Sequence, residues 1–252
     1  MLSKNKIKLI QTLIRKKSRE ETGLFLAEGN KLVEEALLSD FRIESLICTP
    51  EFLVQQRAIG SNVNEVIETD AESIQKASLL KSPQESLALI YIPENSEPEF
   101  HLETDLVLAL DFIQDPGNLG TILRIADWFG IGAVVCSENT VDVYNPKVVQ
   151  ASMGAIFRVK SWHTGLEQFL MKTAVNRIPV YGTFLEGDNI YNEPLTTGGV
   201  LVLGNEGNGI SESVEKLVTQ KLFIPSFSSG KGSESLNVAI AAAICCSEFR
   251  RR

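Results

Sequence analysis

Five continuous apolar runs in the second half of the chain constrain its fold more than any other feature. They lack the alternation of apolar and polar residues, which is typical of strands buried on both faces of a parallel sheet. Helical patterns separate them, which predicts an α/β domain with an open parallel sheet and helices on both faces. The predicted strands are Leu106–Leu110, Ala133–Cys136, Val180–Thr183, Val200–Leu203 and Leu222–Ile224. The predicted helices are Asn118–Phe129, Pro146–Ala155, Leu166–Val175, Glu212–Leu217 and Ser235–Arg250.

Residues 1–93 have the pattern of a separate, smaller α/β domain, with Asn30 and Asp70 as candidate helix N-caps. Residues 94–103 combine acidic residues and a proline with little periodicity, which predicts a linker to a second domain over residues 104–252. The predicted strands of the first domain are Leu24–Ala27, Ile43–Cys48, Val63–Glu68 and Ser86–Ile92. Its predicted helices are Asn5–Lys17, Asn30–Leu38, Glu51–Gln56 and Ala71–Ala77.

The composition is that of an ordinary globular protein long enough to bury a core, with 252 residues, 44% of them hydrophobic and 22% charged. The longest weakly polar run, Leu236–Cys246, is well short of the roughly 20 residues that a bilayer requires, so no membrane span is expected. The N-terminus lacks the apolar stretch of a secretory signal. The four cysteines form no CxxC pair, which predicts reduced thiols and a cytoplasmic protein.

Histidine is scarce, and this narrows the possible chemistry. The two histidines, His101 and His163, lie outside any motif, which argues against histidine-based metal sites and Ser/His/Asp hydrolysis. We therefore expect no metal ion and a reaction that proceeds without histidine.

Charge is distributed unevenly along the chain. The formal net charge is −8, yet residues 1–19 carry seven of the 24 basic residues and none of the 32 acidic ones. A basic segment on an acidic body is a plausible footprint for a polyanion such as RNA. The alternative is a solvated amphipathic helix, since Ile7, Ile10, Leu13 and Ile14 form an apolar stripe. The candidate RNA-contacting residues here are Lys4, Lys8, Arg15, Lys16, Lys17 and Arg19.

Three loops with unusual compositions follow predicted strands of the second domain, where open parallel sheets bind ligands. In the first, Pro116 and Gly117 break the chain before Asn118, a candidate helix cap. The second holds three glycines within residues 204–209, and the third is a polar stretch after Ile224. Neither the dinucleotide pattern GxGxxG nor the phosphate-binding pattern GxxxxGK[ST] occurs in its required context, so nucleotide hydrolysis and nicotinamide chemistry are not favoured.

The three loops together resemble the SpoU (TrmH-type) RNA 2′-O-ribose methyltransferases. The resemblance covers nearly the whole chain, loosely before about residue 105 and closely after it. Its motifs are Asn118-x-Gly120-xxx-Arg124, then Gly204-Asn205-Glu206-Gly207-x-Gly209-Ile210, then Ile224-Pro225 followed by Ser235-Leu236-Asn237-Val238-Ala239.

The resemblance implies a SPOUT-class domain with a C-terminal trefoil knot, a rarity among proteins, preceded by a small L30e-like RNA-binding domain. It also implies S-adenosylmethionine (SAM) as the methyl donor and a homodimer formed through the knot region. The residues it assigns to the donor are Leu203, Gly204, Asn205, Gly209, Ile224, Pro225 and Leu236. The residues it assigns to catalysis are Asn118, Arg124, Glu206, Ser235 and Asn237, with Arg124 also contacting RNA.

The expected activity is therefore SAM-dependent methylation of a ribose 2′-hydroxyl in structured RNA, ribosomal RNA first and transfer RNA as the alternative. A catalytically silent RNA-binding assembly factor with the same fold is the competing interpretation. Arginine stays protonated, so Arg124 is better suited to orienting the hydroxyl and holding phosphate than to removing a proton. Residues 226–234, including Lys231, make a longer loop than is usual in the family.

Overall fold

The computed structural model describes residues 2–56, 59–228 and 234–251, and the chain divides into two compact units. The first unit comprises Met1–Glu94 and Asp142–Arg158, and the second comprises Asn95–Val141 and Val159–Arg252. The segment Asp142–Arg158 therefore lies in the second predicted domain along the chain but packs with the first unit.

The described residues form ten α-helices and eleven strands, together with a short 3-10 helix at Ala155–Phe157. The helices are α1 (Lys4–Thr12), α2 (Lys16–Thr22), α3 (Asn30–Leu37), α4 (Pro50–Gln55), α5 (Ala71–Ala77), α6 (Pro116–Trp128), α7 (Pro146–Ser152), α8 (Leu166–Val175), α9 (Glu212–Glu215) and α10 (Val238–Arg251). The strands are β1 (Leu24–Glu28), β2 (Ile43–Cys48), β3 (Val63–Glu68), β4 (Ser86–Tyr91), β5 (Leu106–Leu110), β6 (Ala133–Ser137), β7 (Lys160–Thr164), β8 (Val180–Phe184), β9 (Asp188–Asn189), β10 (Gly199–Leu203) and β11 (Gln220–Phe223).

The first unit is a small α/β structure, as predicted. Its four-stranded sheet has the order β1-β4-β2-β3, with β2 and β3 parallel and the other pairs antiparallel. The prediction of one helix over Asn5–Lys17 is wrong, because the chain turns after α1 and Arg15 is extended before α2. Both Ile10 and Leu13 are buried, so the helical spacing of apolar residues continues past the end of α1. The sequence pattern therefore gives no sign of the break between α1 and α2.

Of the three predicted helix N-caps, one is confirmed and two are wrong. Asp70 caps α5 as predicted, accepting a hydrogen bond from a backbone N–H. The prediction for Asn30 is wrong, since Gly29 is the N-cap and Asn30 is the first residue of α3. Asn118 is not a cap either: Asp115 caps α6, and its carboxylate accepts the backbone N–H of Asn118 at 2.8 Å.

The segment Asp142–Arg158 is held in the first unit by charge and by aromatic packing. Arg19 is only 2% exposed and donates to the Asp142 carboxylate and to the backbone carbonyl of Leu13. The ring of Tyr144 lies 4.8 Å from that of Phe25, between centroids. These contacts explain why α7 packs against β1 although more than a hundred residues separate them in sequence.

The second unit confirms the predicted parallel sheet with helices on both faces. Its seven strands have the order β7-β6-β5-β10-β8-β11-β9, and every neighbouring pair is parallel. One face packs with α8 and α9 in a cluster that includes Val180. The next residue, Tyr181, points to the opposite face and contacts the Phe249 ring of α10 at 5.0 Å. The sequence missed β7, which is mostly polar, and β9, which has only two residues.

Residues 94–103 contain neither helix nor strand, but two of them contact β7 of the second unit. The ring of Phe100 stacks on Trp162 at 5.7 Å, and Asn95 exchanges hydrogen bonds with the backbone of His163 at 3.0 and 3.1 Å. The predicted linker therefore packs along the sheet that it precedes.

The predicted knot depends on the path of the chain from β11 to α10. Residues 229–233 of that path, with Lys231 among them, lie outside the described residues. The knot therefore stays a prediction.

All four cysteines are buried and free. Burial raises the pKa of the Cys136 and Cys246 thiols to about 12, so they remain protonated. None of the helices in the described parts of the chain is long and apolar enough to cross a membrane. Within those same parts, no group of three or more His, Cys, Asp or Glu side chains is arranged to hold a metal ion.

Candidate active site

The three motif segments meet at the carboxyl edge of the second sheet. Asp111 follows β5, Gly204 follows β10 and Ile224 follows β11. Strand β10 pairs with β5 on one side and β8 on the other, and β8 pairs with β11. Because parallel neighbours lie about 4.8 Å apart, these three strand ends fall within a few strand spacings of one another.

Three polar side chains from these segments form one hydrogen-bonded group, which we term the amide–carboxylate cluster: Asn118, Glu206 and Asn237. Nδ2 of Asn118 donates to Oε1 of Glu206. Nδ2 of Asn237 donates to the same oxygen at 3.0 Å, and also to Oδ1 of Asn118 at 3.0 Å. The resemblance assigns all three to catalysis, and the fold brings Glu206 and Asn237 to Asn118 from 88 and 119 residues away in the sequence.

The three residues differ in how much unused hydrogen-bonding capacity their side chains retain. Asn237 also accepts the backbone N–H groups of Ala239 and Ile240 at 3.0 and 3.3 Å, so its side-chain amide has no hydrogen-bonding capacity left. Asn118 retains one side-chain N–H and part of its carbonyl capacity, and the described bonds leave Oε2 of Glu206 free. The groups of the cluster that can meet a ligand therefore belong to Asn118 and Glu206.

Neighbouring loops position the cluster. Asn205 donates its side-chain amide to the carbonyl of Phe112 at 2.8 Å, and its Oδ1 accepts from the backbone of Gly207 and Asn208. This residue therefore ties the glycine-rich loop that carries Glu206 to the loop after β5. Asn237 lies at the start of α10, where its bonds to the first turn fix the direction of its side chain.

A cavity of about 260 Å³ opens beside the cluster. It is lined by Ile113, Gln114, Asp115, Asn118, Asn205, Glu206, Gly207 and Val238. A second cavity, of about 460 Å³, lies at the ends of β5 and β6 and shares Asn205 with the first. The first cavity presents neutral amides and carboxylates, a lining that attracts a hydroxyl group or a cation.

Two predicted catalytic residues lie outside the hydrogen-bonded cluster. Arg124 lies on α6 nearly two turns beyond Asn118, is exposed, and its guanidinium bonds to no residue that the structure describes. Ser235 is exposed just before α10. The Arg124 guanidinium is therefore available to an external anion.

The residues assigned to the methyl donor occupy the same sheet edge. Leu203 is buried, while Ile224 and Pro225 are half-buried and Leu236 is 48% exposed. A Cβ at Gly204 would lie 2.3 Å from the backbone of Gly209 and Ile210, so close packing within the chain itself requires glycine there. The partly exposed apolar side chains together with the nearby Glu206 carboxylate fit SAM, which has a flat adenine ring and a positively charged sulfur.

The candidate RNA contacts at the N-terminus are exposed, with one exception. Lys4, Lys8, Arg15, Lys16 and Lys17 lie at the surface of the first unit. Lys16 and Lys17 approach Glu20 and Glu21 at 3.8 Å. Arg19 does not belong to this surface, because its guanidinium is buried against Asp142.

Sequence reasoning missed three residues that shape the site. Asp115 caps α6 and lines the first cavity, and its position directly before Pro116 was a readable cap signal. Ser137 and Thr140 hold the loop after β5, and nothing in their local pattern indicated this role.

Comparison with known proteins identifies two matching regions. A model of the SpoU rRNA Methylase family matches residues 105–247, and a model of the MRM3-like substrate binding domain matches residues 4–88. The 23S rRNA (guanosine(2553)-2′-O)-methyltransferase RlmP of Bacillus subtilis is 32% identical over 246 residues, which cover 97% of this chain and 96% of that protein.

Solved structures agree with this assignment. A TrmH-family structure from Porphyromonas gingivalis has 44% identity and a TM-score of 0.89, covering 100% of this chain and 99% of that one. The SpoU methyltransferase AviRb of Streptomyces viridochromogenes, solved in complex with AdoMet (SAM), has 25% identity and a TM-score of 0.84, covering 99% and 98%. With its parallel sheet, its three converging motifs and a family match over more than half its length, this chain belongs to the SpoU rRNA methylase family.

Proposed function

We propose that this protein transfers a methyl group from SAM to a ribose 2′-hydroxyl of ribosomal RNA. The observation that carries the proposal is the amide–carboxylate cluster, in which Glu206 accepts hydrogen bonds from Asn118 and Asn237 beside an open cavity. The ribosomal substrate is supported by the similarity to RlmP over nearly the full length of both chains.

SAM, when bound, supplies a methyl group on a positively charged sulfur that an oxygen nucleophile can attack without a metal ion. Leu203, Gly204, Asn205, Gly209, Ile224, Pro225 and Leu236 would hold it at the carboxyl edge of the sheet. Among them, the apolar side chains of Ile224 and Leu236 suit the adenine ring. The negative charge of Glu206 favours a cation nearby.

The chain's own contribution is to orient and deprotonate a weak nucleophile. The free N–H of Asn118 and the free Oε2 of Glu206 provide one donor and one acceptor for a ribose hydroxyl. The Glu206 carboxylate would accept the hydroxyl proton, and later release it to water, as the oxygen bonds to the methyl carbon. The carbon–sulfur bond of the donor would break in the same step, which would leave the donor as a neutral thioether. Asn237 contacts no substrate in this scheme and is a positioning residue.

Arg124 acts on the RNA backbone. Its exposed, unengaged guanidinium can bind a phosphate with two parallel hydrogen bonds, which fixes the nucleotide relative to the cluster. Because arginine keeps its proton at physiological pH, this role suits it better than proton removal. Ser235, exposed beside Asn237, supplies a neutral hydroxyl to the same nucleotide.

Residues 1–93 form the RNA-binding domain in this proposal, with residues 94–103 joining it to a catalytic domain over residues 104–252. Lys4, Lys8, Arg15, Lys16 and Lys17 provide its basic surface. The protein works as a cytoplasmic homodimer associated through the knot region. Exposed apolar side chains on the two packed helices α6 and α10, Trp128 at 85% and Ile240 at 53%, support that interface.

The deciding experiment measures tritiated methyl transfer from SAM to ribosomal RNA and to transfer RNA transcripts, comparing wild type with Arg124→Ala. Wild-type incorporation into ribosomal RNA that the variant loses would support the proposal. Incorporation into transfer RNA alone would redirect the substrate. RNA binding with no incorporation into any RNA would favour the silent assembly factor. Calorimetric titration with SAM and NAD tests the donor, and sedimentation tests the dimer.

A further inference from the structure

Two buried hydroxyl groups, those of Ser137 and Thr140, contact the loop after β5, which connects that strand to α6. Their residues are 8% and 4% exposed. Ser137 ends β6, and Thr140 follows it in a turn closed by a 2.9 Å backbone hydrogen bond from Thr140 N–H to the Ser137 carbonyl. Neither residue lies in the motifs that relate this chain to its family.

The two hydroxyls make one consistent set of hydrogen bonds. Ser137 Oγ accepts the backbone N–H of Phe112 at 2.8 Å, and Thr140 Oγ1 accepts that of Ile113 at 3.3 Å. Thr140 donates to the Leu110 carbonyl at 3.2 Å, which leaves the Ser137 hydroxyl to donate across the 3.0 Å gap to Thr140. Each proton and each acceptor has a partner, so the set is satisfied within the protein.

This arrangement holds a backbone conformation that the sequence does not favour. Phe112 has a φ of 61°, a left-handed value that costs a bulky residue energy and that persists only where the surroundings enforce it. The Phe112 carbonyl in turn accepts the side chain of Asn205, next to Glu206. Three residues after Phe112, Asp115 caps the helix that presents Asn118.

We propose that Ser137 and Thr140 are positioning residues for methyl transfer, fixing the loop at Phe112 and thereby the geometry of Asn118 and Glu206. The proposal rests on the proposed function for its catalytic consequence, but its structural claim stands on the loop alone. A small displacement of Asn118 is sufficient to lower the rate, because misplacement by about 1 Å can cost about 100-fold.

The test compares Thr140→Val, which keeps the shape and removes the hydroxyl, with Thr140→Ser, which restores it. The control is Thr173→Val. Thr173 is also a buried threonine, 1% exposed, and its hydroxyl bonds a carbonyl within α8, away from the active site. At saturating SAM and RNA, Thr140→Val should lower kcat by about 10- to 100-fold, while Thr140→Ser stays within about threefold of wild type.

Two further readouts separate positioning from simple loss of stability. In an Asn118→Ala background the Thr140→Val substitution should lower kcat little further, because both act on one element. Amide hydrogen exchange of residues 112–118 should quicken in Thr140→Val but not in Thr173→Val. This second readout needs no substrate, so it remains decisive if wild type methylates nothing, a result that would overturn the proposed function instead. Unchanged exchange, or equal kcat losses in the two valine variants, would overturn the positioning role.

Discussion

The side-chain amide of Asn237 donates to the Glu206 carboxylate over 3.0 Å, joining the start of the last helix to the glycine-rich loop. The other hydrogen bonds of the Asn237 side chain go to Asn118 and to the first turn of α10. Asn237 therefore organises the cluster but has no donor or acceptor left for a ligand. The substrate-facing capacity is left to Glu206 and Asn118. This division of roles gives the first prediction.

Glu206→Gln should reduce kcat by about 100-fold or more while leaving RNA affinity nearly unchanged. The amide oxygen can still accept from Asn118 and Asn237, but the charge and the proton acceptor are gone. Single-turnover methyl transfer measures the effect. Glu97→Gln, which changes a carboxylate that contacts Lys172, is the matched control. A rate within threefold of wild type would exclude Glu206 from proton transfer.

Arg124→Ala should weaken RNA binding and flatten its salt dependence by about one phosphate contact, a change of about 0.7–0.9 in the slope of log affinity against log salt. Arg124→Lys should retain part of the affinity but not the rate, because lysine cannot form the paired hydrogen bonds. Binding titrations at several salt concentrations provide the measurement. Lys172→Ala, on the exposed side of α8, should leave the slope unchanged.

Neutralising the exposed basic residues of the first unit should weaken RNA binding in proportion to the charges removed. Lys4, Lys8, Arg15, Lys16 and Lys17 are replaced by Gln, and both the salt slope and SAM affinity are measured. SAM affinity should not change. Deleting residues 1–19 is a poorer experiment, because it also removes Ile10 and Leu13 from the core. If the slope of the multiple variant equals that of wild type, this surface is only a solvated helix face.

Asp142→Asn should destabilise the first unit by about 3–5 kcal/mol, because it leaves the buried Arg19 guanidinium without its charge partner. Chemical denaturation measures the loss. The control is Glu20→Gln, whose partner Lys16 is exposed, and an exposed pair contributes little to stability. Equal losses in the two variants would mean that burial of Arg19 does not govern this interaction.

Glu28 gives a prediction for pH dependence. Burial raises the pKa of its carboxyl above the ordinary value, while hydrogen bonds from Ser78 and the Leu79 N–H act in the opposite direction. The folded state thus favours the protonated form more than the unfolded chain does. The resulting stabilisation is complete below the ordinary carboxyl pKa of about 4.3 and is lost as pH rises through the folded pKa. Relative to Glu28→Gln, the wild-type unfolding free energy should therefore fall across that window. If the unfolding free energies of wild type and Glu28→Gln changed in parallel with pH, the prediction would be contradicted.

The sequence by itself determined the parallel sheet and the three segments of the site. Continuous apolar runs such as Leu106–Leu110 and Val200–Leu203 are typical of strands buried on both faces, and the local pattern placed these strands correctly. The motif residues Asn118, Glu206 and Asn237 lie in loops that follow predicted strands, and the resemblance to the SpoU family assigns them to the site.

Only the tertiary structure decided what those residues do for one another. Asn237 bonds to Asn118, and the buried Arg19 bonds to Asp142. Each pair is separated by more than a hundred residues in the sequence, and no local periodicity encodes such a pairing. The left-handed Phe112 shows the same limit, since its backbone N–H donates to the hydroxyl of Ser137, 25 residues later. Hydrogen-bonding capacity and burial depend on which groups meet in space. Strand and helix patterns are set by each residue's near neighbours, so they can be read from the chain before it folds.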